Sequence, residues 1–527
     1  MAHAVEDKGI AIDSPLAAEE WFAGPVVVLR ILRLLMTTLR RLDRGQPAID
    51  EARIHTRPDG RVRARVFPAS NLDAVLFPRF SADVWMRPGV TATEVVSAAG
   101  AHYRMPPDRR PGRVALVLGA GNVASIAPTD VLYKMFVEGR VCVLKMNPLN
   151  AVMGPLLERG FRAAIEQGLL LIVYGGTDVG AYLTEHPLVD EVHVTGARET
   201  HDLIVWGETG NGRHAREARR GPRLAKRITS ELGNISPVII VPGPYTDREI
   251  RFQADSIAAA VVNNGSFNCN AARLLVAPAA WPGRRQFRDA LARSLASAAP
   301  RQAYYPGAER RWAELVDRYP WAQQYGERRP GVLPWTLIPE VDAGDEPLFS
   351  REWWCPVVVE TTLRSSDPGE FLGAAVDFCN ERVWGTLSAT IVVHPRSLTD
   401  PRIAAALETA LEHLRYGTIA INHWPALGFV FGTTPWGGHP SATLEDIQSG
   451  RGWVHNAFML DEAHIEKCVV RGPLVVRPRP PWFPGHRRAH RLGRRLADME
   501  AAPSAWKLPG IVLDALRGWR PGRHSSA

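Results

Sequence analysis

From Val114 to Gly196 the chain repeats one pattern, a short apolar run, a polar or glycine-rich turn and a helical stretch, and this restricts it to a parallel sheet covered by helices. The apolar runs are Val114–Leu118, Val141–Leu144, Leu169–Tyr174 and Val192–Thr195, and the spacing between them predicts helices over 130–138, 155–167 and 176–184. Sheets of this kind bind ligands beyond the carboxyl ends of their strands. That rule singles out Gly119–Asn122, Lys145, Tyr174–Gly176 and Thr195–Gly196, all polar or glycine-rich. A second alternating unit begins after Asn234, with Val238–Val241, a helix over 250–263 and Leu274–Val276.

The expected fold class is therefore α/β, with two parallel-sheet domains and a small extra region. At 527 residues the chain exceeds the ~250–300 at which single cores stop growing, so a large interdomain cleft is expected. The boundaries read from the pattern are 1–110 for an N-terminal region, 111–235 for a first, Rossmann-like α/β domain and 236–440 for a second; the resemblance described below implies cofactor binding for the first, joined by 1–110, and catalysis for the second. Residues 441–478 return to the cofactor domain and end in a strand over 469–476; residues 479–527 form a basic tail.

Composition narrows the function classes. Five scattered cysteines, Cys142, Cys269, Cys355, Cys379 and Cys468, contain no CxxC pair, which predicts free thiols in a cytoplasmic protein and no metal site. The first residues are acidic and lack an apolar core, unlike a secretory signal. The apolar stretch over 25–36 is interrupted by Arg30 and Arg33 and is shorter than the ~20 residues of a membrane span, so it reads as an amphipathic helix. The net charge of +8 is concentrated at Arg213–Arg223 and Arg487–Arg495, which points to local surface roles and away from nucleic acid. The basic stretch 207–224 reads as a surface loop.

Gly119-Ala120-Gly121-Asn122-Val123-Ala124 follows a predicted strand and resembles a dinucleotide-binding turn, whose backbone N–H groups receive a pyrophosphate. The second half of that fingerprint is missing. Where an acid should hold a ribose hydroxyl, the second strand ends in Lys145, followed by Met146-Asn147-Pro148. A lysine pointing into the cleft can instead bind ribose hydroxyls or a 2′-phosphate.

Two further segments bring chemistry. Ser230-Glu231-Leu232-Gly233-Asn234-Ile235-Ser236-Pro237 is similar to the glutamate signature of aldehyde dehydrogenases, and Asn263-Asn264-Gly265-Ser266-Phe267-Asn268-Cys269-Asn270-Ala271-Ala272-Arg273 resembles their cysteine signature. The resemblance runs over roughly residues 110–455. Asn122 falls where the family has an asparagine, and Lys145 follows at the family's spacing. Leu183-Thr184-Glu185-His186-Pro187 with Val194-Thr195-Gly196 looks like the segment near the nicotinamide. Glu352-Trp353-Trp354-Cys355-Pro356-Val357 and Pro435-Trp436-Gly437-Gly438 match two later family motifs. Gly121 stands in place of a tryptophan, Asn234 in place of a second glycine, and Glu231 and Cys269 are a few residues further apart than is usual.

This resemblance implies Cys269 as nucleophile, Glu231 as general base and Asn122 as oxyanion donor. It further implies Lys145, Gly176, Thr195, Gly196, Glu352 and Trp354 as the residues holding NAD or NADP, and an aldehyde as substrate. The chemistry is consistent with those residue types: hydride leaves readily only from the adduct of a thiolate with the carbonyl, and the resulting thioester needs a base to activate water. Trp353, Trp424, Trp436 and Phe267 suggest an apolar pocket, hence a hydrophobic aldehyde. Two rival readings share the motifs: an acylating dehydrogenase in which a thiol takes the thioester, and a catalytically silent protein whose C-terminal tail docks on a membrane or a partner. Family members commonly assemble through a C-terminal strand, which makes 469–476 the expected contact of a homodimer or homotetramer.

Overall fold

The computed structural model describes residues 5–209 and 221–519; most of the basic loop expected at 207–224 lies outside the described residues. A continuous helical run extends from Pro15 to Asp43. Pro25 has no N–H to donate and crowds the carbonyl four residues back, and the run widens into a π-turn over Phe22–Val26 before continuing as α1 (Val27–Asp43). With 29 residues, 18 of them a window of mean hydropathy 1.7, the run is longer than 25–36 suggested, and by length and composition alone it suffices to cross a bilayer. Its contacts are those of a core helix. Val27, Ile31, Leu34 and Leu35 are buried against Leu132, Ala457 and Met459. Arg30, 3% exposed, is paired with Asp73 and Glu500 at 2.8 and 2.9 Å.

Three strands follow, β1 (Ile54–Thr56), β2 (Val62–Phe67) and β3 (Ser81–Met86), paired as antiparallel neighbours. The repeating segment then builds a five-stranded parallel sheet from β4 (Val114–Leu118), α2 (Ile126–Phe136), β5 (Val141–Lys145), β6 (Leu170–Val173), α3 (Thr177–Glu185), β7 (Glu191–Gly196) and β8 (Arg227–Leu232), in the order β6-β5-β4-β7-β8. The single helix expected over 155–167 is broken into Gly154–Gly160 and Arg162–Glu166, with Phe161 at the break leaving helical geometry beside a glycine of low helix propensity.

The chain then crosses into an eleven-stranded sheet. It comprises β9 (Pro237–Ile240), β10 (Leu274–Pro278), β11 (Gln323–Tyr325), β12 (Trp335–Val341), β13 (Val357–Leu363), β14 (Ser388–Val392), β15 (Thr418–Ile421), β18 (Ile465–Arg471) and the three N-terminal strands, in the order β1-β2-β3-β18-β15-β14-β9-β10-β13-β12-β11. A separate ribbon pairs β16 (Pro435–Trp436) with β17 (Val454–His455). Between β9 and β10 lies α4 (Asp247–Val262), and before β11 lies α5 (Ala308–Arg318). β9, β10 and β14 are buried at every position, as central parallel strands are.

Two expectations are corrected. Residues 54–86, placed with the cofactor domain from sequence, extend the larger sheet instead, because β3 pairs antiparallel with β18. The expected oligomerisation strand over 469–476 is β18, ending at Arg471, and it is bonded on one edge to β15 and on the other to β3 of the same chain. With both ladders satisfied it offers no free edge to a second copy. The C-terminal tail is folded, as α6 (Ala489–Ala501) and α7 (Leu508–Arg517).

Candidate active site

The cleft between the two sheets has a volume of about 1660 Å³, more than the ~300–1,000 Å³ of a drug-sized ligand site. Every catalytic and cofactor-binding residue that the resemblance implies lines it: Asn122, Lys145, Gly176, Thr195, Gly196, Glu231, Cys269, Glu352 and Trp354. Those of the smaller sheet arrive at or just past the carboxyl ends of its strands, as the parallel-sheet rule requires, while Cys269, Glu352 and Trp354 come from loops ahead of β10 and β13. Lys145 closes β5, Thr195 and Gly196 close β7, and Gly176 precedes α3 without a side-chain cap, leaving that helix start open. Gly121, where the resembled motif has tryptophan, is held small by its neighbour: a Cβ there would come within 2.7 Å of Asn147 Oδ1.

Glu231 lies near the end of β8, in register with Thr195 on β7, just before the chain leaves the smaller sheet for the larger one. Gly233 in that crossing sits so close to Glu352 that a Cβ would meet its Oε2 at 1.9 Å. The unusual Asn234 braces the crossing, its Nδ2 donating to Ser388 O at 2.7 Å and Ser236 Oγ at 3.0 Å. The substitution for glycine thus ties the glutamate motif to β14.

Cys269 is half-buried, and the other four cysteines are buried. It follows α4 on a loop in which Asn264, Gly265 and Ser266 all have positive φ, at 52°, 66° and 71°. Asparagine and glycine tolerate that geometry; serine does so at a cost of order 1–3 kcal/mol, met by surrounding contacts. Arg273 supplies them. Its fully buried guanidinium donates to Ser266 O at 2.9 Å, Ser266 Oγ at 3.4 Å, Asn268 O at 3.3 Å and Cys355 O at 3.3 Å, and pairs with Glu352 at 3.3 Å. Replacing Arg273 with Met would strip these carbonyls and leave Glu352 an unpaired buried acid. The expected cost is ~3–5 kcal/mol by urea denaturation. Burial already pushes Glu352 up to about 7, opposed by Arg273, so the loss should be smaller at low pH, where the orphaned carboxyl takes up a proton.

Glu231 and Cys269 face each other. Burial pushes the Glu231 carboxyl up to about 8, against the lowering influence of the Cys269 thiol and with the charges of Asp130 and Glu352 adding to the rise. Glu231 Oε1 has no hydrogen-bond partner among the described residues, and neither does the nearby Trp436 Nε1. Burial, then the charge of Glu231, pushes the Cys269 thiol well above its ordinary range. Tyr133, Leu387, Trp436 and Val454 surround the cysteine with apolar surface.

Asn122, 6% exposed, donates one amide hydrogen to Phe267 O at 2.9 Å, which fixes the side chain and leaves its second N–H available. Its own carbonyl accepts from Lys8 Nζ at 2.9 Å, Asn264 Nδ2 at 3.0 Å and the Tyr304 hydroxyl at 3.2 Å. Lys8 also donates to Asn264 Oδ1 at 3.0 Å and pairs with Glu20.

Some predicted roles shift. Thr195 Oγ1 donates to Asp130 Oδ2 at 2.9 Å, and Glu352 is turned to Arg273 and the Gly233–Asn234 backbone. Phe267 is a core residue, Trp424 is tied to Asn270 O at 2.8 Å, Trp353 is mostly buried but lines the cleft, and Trp436 packs against Cys269. No role for Arg273, Lys8 or Asp130 is legible in the sequence. The guanidinium at the end of the cysteine motif was the available signal; for Lys8 there was none.

Residues 76–301 match the model of the aldehyde dehydrogenase family. Among curated proteins, the chain is 25% identical over 252 residues to 4-trimethylaminobutyraldehyde dehydrogenase A of Danio rerio, covering 46% of each. It is 32% identical over 142 residues to an aldehyde dehydrogenase of Enchytraeus buchholzi, covering 26% of this chain and 25% of that one. The match thus spans less than half the length of these relatives. Among solved structures, an NAD-dependent aldehyde dehydrogenase from Sinorhizobium meliloti superposes with a TM-score of 0.52 at 19% identity, covering 89% of this chain and 83% of that one. An NADP-dependent glyceraldehyde-3-phosphate dehydrogenase from Bacillus halodurans C-125, complexed with NADP, does so with 0.52 at 15% identity, covering 86% of each. These likenesses establish the shared fold.

Proposed function

We propose that the chain is an aldehyde dehydrogenase that oxidises a hydrophobic aldehyde to the carboxylic acid with NAD or NADP, through a Cys269 thioester hydrolysed with Glu231 as general base; the match of residues 76–301 to that family's model and the shared fold support this reading. The observation that carries this reading is the pairing of the one half-buried cysteine with a buried carboxyl raised to about 8, at the floor of a cleft sized for a dinucleotide and a substrate.

Cys269 Sγ bonds to the carbonyl carbon, and its proton passes to the Glu231 carboxylate, the acceptor that faces it. The oxygen of the adduct gains negative charge, met by the free N–H of Asn122 and the Cys269 backbone N–H. When bound, the oxidised nicotinamide supplies the hydride acceptor. Lys145 is a buried ammonium without an ion pair among the described residues, which fits a ribose hydroxyl or phosphate, and the open start of α3 at Gly176 fits the pyrophosphate. Glu231 releases that proton to solvent, then takes a proton from water as the water attacks the thioester and passes it to the departing Cys269 thiolate, so that the acid and the free thiol are released. The apolar surround of Cys269 favours an aldehyde with a hydrocarbon chain.

The test is a series of aliphatic and aromatic aldehydes offered with NAD and with NADP, following the reduced cofactor by absorbance. Aldehyde-dependent reduction that strengthens with chain length supports the reading; none with any aldehyde and either cofactor refutes it.

A further inference from the structure

The proposed chemistry makes no use of the C-terminal hairpin of α6 and α7. Residues 477–519 carry nine Lys and Arg against three Asp and Glu, a surplus of six in a chain whose whole surplus is eight. The hairpin is firmly seated: Gly493 of α6 lies against Trp21, Glu500 holds Arg30 and Arg33, and Asp514 of α7 takes Arg488 at 3.1 Å and Arg495 at 2.7 Å. Seating α7 through Asp514 and Ile511 turns its opposite side outward.

That side is apolar. Trp506, Pro509, Val512, Leu513 and Leu516 recur at helical spacing, and Trp506 is 92% and Leu516 57% exposed. Single exposed apolar residues are ordinary; a continuous stripe on the outermost helix marks a contact surface. Beside it Arg487, Arg491 and Arg494 are exposed about one turn apart, with no ion pair among the described residues. The Arg487 N–H donates to Gly518 O at 3.1 Å, which brings this row beside Arg517 at the end of the stripe.

We propose that this hairpin docks the protein on an anionic bilayer surface, the α7 stripe entering the headgroup boundary while the arginines meet lipid phosphates. Charge selects this occupant over a second copy of the chain, since a self-complementary contact would bring two unpaired arginine rows together.

Co-sedimentation of the full chain with phosphatidylcholine vesicles, with and without phosphatidylglycerol as a third of the lipid, tests it. Binding should be at least about tenfold stronger to the anionic vesicles and fall as salt is raised. R487Q/R491Q/R494Q should return it to the neutral-vesicle level, and L513E/L516E should lose binding to both. These side chains lie outside the core, so thermal midpoints should match the unaltered chain. Equal binding to neutral and anionic vesicles, or binding unchanged in either variant, would overturn the proposal. So would a dimer in light scattering that L513E/L516E dissociates without any vesicle binding, which would give the stripe to a second copy.

Discussion

Cys269→Ser should lower aldehyde-dependent cofactor reduction by roughly four orders of magnitude or more while leaving the thermal midpoint nearly unchanged. The two side chains differ by one atom, so the loop held by Arg273 keeps its shape. Their acidity differs greatly. The Cys269 thiol is already pushed up by burial and by Glu231, and reaches the anion only as it hands its proton to that carboxylate. A hydroxyl in the same apolar surround starts far higher and ionises negligibly. The other four cysteines are buried and their thiols are all raised by burial, so none can stand in. A Ser variant within tenfold of the unaltered enzyme would remove Cys269 from the mechanism.

Glu231→Gln should show the second largest effect, on a different step. Acid release in the steady state should fall by ~10²–10⁴-fold, the usual worth of a positioned base. A slower burst of reduced cofactor should still reach one equivalent per site, because the thioester forms and then accumulates. In the unaltered enzyme the hydrolytic rate should climb as pH rises through about 8, where the raised carboxyl ionises, and in the Gln variant it should be flat over that range. If added thiols restore turnover to the variant, or if acid release does not change, the thioester is not normally given to water through Glu231.

The same carboxyl has a stability signature of opposite sense. Between the ordinary glutamate value and about 8, the folded chain holds a proton that the unfolded chain has released, so Glu231 makes stability fall as pH rises through that window. Glu231→Gln should therefore melt at a higher temperature than the unaltered chain at pH 9 and close to it at pH 5. A midpoint no higher at pH 9 would mean that the carboxyl is not held in an apolar setting.

Much of the smaller sheet was legible because parallel strands are buried on both faces and read as unbroken apolar runs; β4, β5, β6 and β7 fall within a residue or two of the runs at 114–118, 141–144, 169–174 and 192–195. The larger sheet was legible only in parts. Nothing in the stretch around Val469 and Val470 says that the strand lies between β15 and β3, partners some fifty and nearly four hundred residues earlier, since side-chain alternation reports burial and not the neighbour. The site divides similarly. Cys269, Glu231, Asn122 and Lys145 could be singled out because each sits in a local motif, and the fold brings all four to one cleft. Arg273 stood inside the cysteine motif without a role, because what it does depends on backbone carbonyls and a carboxyl contributed by distant segments; Trp436, expected with three other aromatics to form an apolar pocket, is the one packed against Cys269. Asn234 read as a defect in a glycine position until its amide was seen bridging to Ser388.

The ammonium of Lys8 reaches the Asn122 carbonyl and the Asn264 amide oxygen from a segment more than a hundred residues ahead of either motif. A version of this protein trimmed to begin at Pro15, where the long helical run starts, would keep every signature residue and the whole of both sheets. It would also lose the strut behind the oxyanion donor, with Glu20 left as a buried charge in its place. A change in the segment around Lys8 is therefore also a change in the geometry around Asn122.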